Sequence, residues 1–122
     1  MEDFGFKELK VWRKAIEFAT HIIDEIDKIE SDRKHFRIIE QIEAAATSIA
    51  ANIAEGKGRY SKKEFGQYLY IARGSIYETI TFINIMLELK WIPIDKAHEL
   101  EHEGLTLNKM LNSLINKIKS DI

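Results

Sequence analysis

The chain has no cysteine and only one proline. Without thiols there is no disulfide framework, no thiol nucleophile and no thiolate metal site, and the chain suits a reducing compartment. One proline and six glycines in 122 residues are too few breakers for an all-β domain with its many turns. A strong charge of either sign is also missing. Eighteen Lys plus Arg stand against 20 Asp plus Glu, a formal charge of −2, so any attraction to nucleic acid or membrane has to come from a local patch. The start, Met1-Glu2-Asp3-Phe4, has neither the basic region nor the apolar run of a signal peptide, and the expected location is cytoplasmic. With 45% hydrophobic and 31% charged residues the composition is that of a folded chain, not a disordered one. At this length one domain over residues 1–122, built on one core, is expected.

What is present is helical rhythm. Over residues 7–29, Leu9, Trp12, Ile16, Ala19, Ile23 and Ile26 recur at alternating short steps that put them on one side of a helical period. The rhythm returns in Ile39, Ile42, Ala46, Ile49 and Ile53, in Phe65, Leu69, Ala72, Ile76, Ile80, Ile83 and Leu87, and in Leu100, Leu107, Leu111, Leu114 and Ile118. These stripes predict four helices. Ser31-Asp32 is placed to cap the second, and Gly56 and Gly58 to end it through backbone conformations that cost other residues more. Ser61-Lys62-Lys63-Glu64 reads as a capping box opening the third. Trp91-Ile92-Pro93 breaks the run after Lys90, and Asp95 is a candidate cap for the fourth. Short connections between long amphipathic helices predict an all-α fold, an antiparallel up-down-up-down four-helix bundle.

The two middle helices are apolar on too many sides. Residues 44–54 contain no charge, and the side away from the core stripe carries Ala44, Ala45, Ser48, Ala51 and Asn52. The third helix has only Arg73 and Glu78 as charges between Phe65 and Leu87, and its back presents Tyr70, Ile71, Gly74, Tyr77, Phe82 and Ile85. Gln67, Arg73, Glu78 and Asn84 within that run argue against a membrane span. Contiguous apolar surface marks interaction sites, which makes Ala44, Ser48, Ala51, Asn52, Tyr70, Ile71, Arg73, Gly74, Tyr77, Glu78, Phe82 and Ile85 candidates for a contact between copies of the chain. The alternative is a monomer with an unusually apolar surface. Arg73 and Glu78 point in different directions, so each needs a partner from another helix or chain.

Catalytic patterns fail on context. His98-Glu99-Leu100-Glu101-His102 matches H-E-x-x-H, in which two histidines one turn apart hold zinc and the glutamate activates water. Both histidines, however, lie about 160° from the core residue Leu100 at ~100° per residue, and no third ligand follows. A di-iron bundle needs inward Glu-x-x-His motifs on two helices, and Glu99 with His102 supplies one, facing outward. His21, between Glu17 and Glu25 at helical spacing, and His35 read as solvated residues. Gly56-Lys57-Gly58 lacks the spacing and preceding strand of a phosphate loop. No enzyme, cofactor or metal is expected.

Charge position suggests something else. In an up-down bundle the start of helix one, the second connection and the end of helix four share an end. That end collects Lys7, Lys10, Arg13, Lys14, Lys57, Arg59, Lys62, Lys63, Lys117 and Lys119 against Glu2, Asp3, Glu8, Glu55, Glu64 and Asp121, while the other is rich in acid, from Asp24 and Glu25 to Glu101 and Glu103. Lys10, Arg13, Lys14, Lys57, Arg59, Lys62 and Lys63 are the candidate nucleic-acid contacts, acting on phosphates. An ordinary Lys-rich, solvated end is the competing reading.

The run Ser48-Ile49-Ala50-Ala51-Asn52-Ile53-Ala54-Glu55-Gly56, followed by Gly58-Arg59 and Ser61-Lys62-Lys63-Glu64-Phe65, resembles the bacterial four-helix-bundle proteins first noticed as products of intervening sequences in 23S rRNA genes. The likeness extends over residues 6–92 and weakens in the last helix. It implies an antiparallel four-helix bundle that assembles as a homo-oligomer, a ring of five. More distantly the chain is similar to the accessory proteins of diversity-generating retroelements, basic pentamers that engage reverse transcriptase and nucleic acid. It departs from the family in carrying Glu43-Ala44 where relatives often have an Arg pair, and Ala50 where they have Pro; the first departure lowers the positive charge available to RNA. The family brings no established activity with it. The expected role is a non-enzymatic homopentameric scaffold with weak RNA or DNA contact through its basic end, its partners being copies of itself and rRNA or another nucleic acid. The alternative is a protein-binding adaptor, its partner docking on the ring, with no nucleic-acid contact.

Overall fold

A computed structural model describes residues 4–30 and 36–122. A short 3-10 helix, Gly5–Glu8, leads into α1 (Lys10–Asp27), α2 (Phe36–Lys57), α3 (Lys62–Glu88) and α4 (Ile94–Ser120). No strand occurs among the described residues. Each helix packs on its neighbours in a closed circuit, α1 on α2, α2 on α3, α3 on α4 and α4 back on α1, with α2 and α3 in the most extensive contact.

Cross-helix pairs fix the directions. Along α3, Lys62 bonds Asp121, Arg73 bonds Asn112 and Asn84 bonds Glu101, so α4 runs backwards beside it. Ser48 with Ser75 and Glu55 with Tyr68 do the same for α2 and α3. His21 meets Glu103 from α4, while Leu9 and Ile118 line one recess, so α1 opposes α4. It follows that α1 also opposes α2, and the bundle is antiparallel throughout.

The core is aliphatic, with Phe18 the one large aromatic ring buried in it among the described residues. In α2, α3 and α4 the expected stripes supply most of it, including Ile42, Ile49, Ile53, Leu69, Ile76, Ile83, Leu107 and Leu111. Helix α1 is rolled relative to expectation. Val11, Ala15, Phe18, Ile22 and Ile26 face inward, whereas Ile16 is exposed and Trp12 and Ile23 are half-buried. The apolar sector of α1 is broad enough for two overlapping stripes, and Phe18 selects between them by lying against Gly104 of α4. Ala45, expected outside, is buried, and Phe82, expected on the outer face of α3, is half-buried against the core.

The helix ends show where local rules hold. Ser61 caps α3, its Oγ accepting from the Glu64 amide at 3.1 Å, as the capping box requires. The first helix is not continuous over residues 7–29. Leu9 is extended, at φ −74° and ψ 120°, and separates the 3-10 turn from α1, while Phe4 stacks on Phe6 at 5.6 Å and Phe6 meets Trp12 at a tilt, 5.1 Å between ring centroids. Pro93, not Asp95, holds the N-cap position of α4, without a side-chain cap, and Asp95 sits in the first turn, where its charge favours the helix dipole. The expected cap Ser31-Asp32, and His35, lie outside the described residues.

Glycine's part at the end of α2 differs from expectation, since no glycine has a positive φ. Gly56 is buried because a Cβ there would stand 2.6 Å from Tyr68 Cβ and 3.3 Å from the Phe65 carbonyl oxygen. It permits close approach of α2 and α3, not a turn. The left-handed residue is instead Lys90, at φ 61°. Its amide donates to Leu87 O and that of Trp91 to Met86 O, both at 2.9 Å, the paired bonds of a Schellman helix end, where glycine is the usual occupant. Lys90→Gly is therefore expected to stabilise the fold by about 1 kcal/mol by removing the Cβ clash of a left-handed residue. The expected rise of roughly 4 °C in melting temperature is readable by circular dichroism; an unchanged or lower value contradicts it.

Candidate interaction surfaces

The end of the bundle predicted to be basic is assembled from all four helices. Leu9, Lys57, Arg59, Tyr60, Lys62, Phe65, Leu114, Lys117, Ile118 and Asp121 surround one recess of about 340 Å³. Lys63 is exposed in the first turn of α3, and Lys10, Arg13 and Lys14 begin α1. Several of these cations have partners within the chain. Lys62 Nζ donates to Asp121 at 3.1 Å, Arg59 Nη2 to Glu55 at 2.9 Å and Lys14 Nζ to Glu17 at 3.2 Å. Arg59 also lies over the Tyr68 ring at 4.7 Å, and Arg13 Nη1 donates to the Lys7 carbonyl at 3.1 Å. Lys57 rests its ammonium 5.9 Å from the Phe65 ring centroid, which leaves its charge available. The sequence could place these residues at one end but could not say which were paired.

The second surface is the outer face of α2 and α3. Ala44 and Ala51 are exposed on α2; Tyr70, Ile71, Gly74, Tyr77, Glu78 and Ile85 are exposed on α3, with Ile71 at 52% and Tyr77 at 57%. Ser48 and Asn52 are half-buried; Ser48 Oγ donates across the α2–α3 seam to Ser75 Oγ, and Asn52 Nδ2 donates to Ser48 O of its own helix at 2.8 Å. Arg73 finds its partner inside the chain, donating to Asn112 Oδ1 at 3.0 Å and covering Tyr70 at 4.9 Å. Beside Tyr77 a groove of about 500 Å³ runs between α3 and α4, lined by Ile80, Leu105 and Asn108. Leu105, half-exposed in that groove, was not singled out by the sequence reading, although its place one residue after buried Gly104 puts it at the edge of the α4 stripe.

Gly74 is the informative residue of this face. A Cβ built on it meets nothing within 4 Å, whereas one on Gly104 would stand 2.7 Å from Ile80 Cδ1 and 3.2 Å from Phe18 Cζ. Gly56 and Gly104 are thus accounted for by packing inside the chain. Gly74 is not, yet a mid-helix glycine costs about 1 kcal/mol relative to alanine.

At the acidic end His98 and His102 are exposed on α4, as the spacing predicts. No group of three His, Asp or Glu among the described residues is arranged to hold a metal ion. His21 departs from expectation, with Nδ1 lying 2.8 and 2.9 Å from the two carboxylate oxygens of Glu103, an α1–α4 pair. Nearby, the hydrogen bond that Lys96 Nζ donates to the Glu99 carboxylate raises the Lys96 pKa above its ordinary value. No described helix is long and apolar enough to cross a membrane.

Comparison with known proteins fits this architecture. A crystal structure from Bacteroides thetaiotaomicron, described as a protein of unknown function from the S23 ribosomal protein family, superposes with a TM-score of 0.79 at 28% identity, covering 86% of this chain and 97% of that one. No curated protein matches. Residues 7–113 match the family described as 23S rRNA-intervening sequence protein. With that match over most of its length and the four helices in place, the chain belongs to the 23S rRNA-intervening sequence protein family.

Proposed function

We propose that the protein is a non-enzymatic scaffold that joins copies of itself through the outer face of α2 and α3, as a ring of five, and contacts RNA or DNA weakly through its basic end. The observation that carries the nucleic-acid part is the gathering of Lys57, Lys62 and Lys117, from three helices, around one recess. Repetition around a ring multiplies a modest local charge, and each neutralised phosphate releases counterions. Contacts dominated by Lys and Arg read phosphates, so binding is weakly selective for sequence and falls steeply with salt. Reversing charge at Lys57, Arg59, Lys62 and Lys63 together is expected to abolish binding of structured RNA and duplex DNA at low salt and to leave the oligomer intact. No binding by the unmodified protein, or equal binding by the variant, contradicts the reading.

One observation favours the alternative, a protein-binding adaptor. Arg59, Lys62 and Lys14 already have carboxylate partners within the chain, which lowers the charge offered to a polyanion. The same titration separates the two, since an adaptor forms the oligomer and binds no nucleic acid.

A further inference from the structure

We infer that the basic end takes single-stranded nucleic acid, with an unpaired base stacked on Tyr60 at the mouth of the recess and the flanking phosphates held by Lys57 and Lys117. The inference rests on the nucleic-acid reading of this end and names its substrate class.

The first observation is Tyr60 itself. Its side chain is 101% exposed, in the short connection between Lys57 and Lys62, so the ring packs against nothing in the fold and contributes nothing to the core. The second is the recess beside it. Its floor is apolar, formed by Leu9, Phe65, Leu114 and Ile118, and its rim is cationic. A bare anion would be poorly served there, because the apolar floor offers nothing in place of its hydration. A flat ring system that carries phosphate suits both parts. The rim's carboxylate, Asp121, is bonded to Lys62 at 3.1 Å, so the two charges nearly cancel and the free charge of the rim is that of Lys57 and Lys117.

A duplex presents its phosphates outward and keeps its bases stacked on one another. It could use the rim but neither the ring nor the floor. An unpaired base offers a free π-face to any exposed aromatic, and stacking of this kind is tolerant of sequence. The arrangement of one bare aromatic among lysines from three helices therefore discriminates by strandedness, not by sequence.

The test measures fluorescence anisotropy at low salt with labelled single strands of about 15 nucleotides, in RNA and DNA forms, and with the matching duplex. Single strands are expected to bind more tightly than the duplex. Tyr60→Ala is expected to weaken single-strand binding roughly ten-fold, within the range of one lost stacking contact, while duplex affinity stays within about two-fold; Tyr60→Phe keeps the ring and the affinity. The ratio of RNA to DNA affinity identifies the source, a preference for RNA indicating 2′-hydroxyl contact, and tight binding of either strand meets the expectation. Because Tyr60 touches no core residue, its variants fold normally. Preference for duplex, or no effect of Tyr60→Ala on single strands, overturns this inference and leaves the broader reading of the basic end standing. No binding by any probe overturns both.

Discussion

On the proposed assembly, replacing Gly74 by glutamate is expected to leave only a monomer of about the chain mass, 14.2 kDa, in light scattering. The position is at the centre of the exposed α3 face, between Ile71 and Tyr77, with open space above its backbone. In a contact between copies that space is filled by the neighbour, and small residues there let helix backbones approach closely. A glutamate would put both bulk and an unpaired carboxylate into it. An uncompensated buried charge costs about 3–5 kcal/mol, on the order of a hundred-fold or more in affinity at each contact, enough to disperse a ring held at micromolar concentration. Gly74→Ala supplies the control in the opposite direction. Nothing in the chain obstructs the added methyl group, so it should raise monomer stability by about 1 kcal/mol through helix propensity while loosening assembly. An unmodified protein that is monomeric at micromolar concentration removes the proposal.

Gly56→Ala is expected to do the reverse, damaging the fold itself. The new methyl group would stand 2.6 Å from Tyr68 Cβ and 3.3 Å from the carbonyl oxygen of Phe65. Both atoms are fixed by the α3 backbone, so no rotamer change can make room and the two helices must separate. Overpacking of this kind costs about 1–3 kcal/mol, and the immovable neighbours place this site at the upper end. A melting temperature lower by roughly 10 °C follows, measured by far-ultraviolet circular dichroism. A melting temperature equal to that of the unmodified protein would show that α2 and α3 are less tightly apposed than described. At Gly104, by contrast, the nearest atoms belong to side chains, the tip of Ile80 at 2.7 Å and Phe18 Cζ at 3.2 Å, and none to backbone.

Most of the fold was legible in the amino-acid pattern because it depends on short-range periodicity. The stripes of α2, α3 and α4, the capping box at Ser61 and the breaks near Gly58 and Pro93 are all local signals. What the pattern could not resolve depends on residues distant in sequence. The roll of α1 is decided by Phe18 meeting Gly104, and two overlapping apolar stripes look alike until that neighbour is known. Still, the spacing of Val11, Ala15, Phe18, Ile22 and Ile26 was available as a signal. Gly56 was misread for the same reason, its close contact with Tyr68 being invisible until α2 and α3 are brought together. Lys90 gave no warning, because a lysine in the left-handed region violates the preference that would have identified it.

The candidate surfaces divide along similar lines. Position along a helix was enough to collect the lysines at one end and the exposed apolar residues of α3 on one face. It was not enough to see that Lys62 reaches Asp121 or that Arg73 reaches Asn112, since each pair joins α3 to the last helix. The pairing of His21 with Glu103 was hidden likewise, by the length of chain between them.

The closed circuit of helices also bears on how the bundle forms. Three of its four seams join helices adjacent in the chain, and only α1 against α4 requires a long segment to close on itself. Closure entropy grows slowly with loop length, and topologies rich in neighbouring contacts fold quickly. The hairpin of α2 and α3, with the most extensive seam and the tightest connection, has the least such entropy to lose and can serve as the template on which both outer helices assemble. That same hairpin carries the exposed face of α3 and the Tyr60 connection, so much of the proposed contact surface belongs to the unit with the greatest head start in folding.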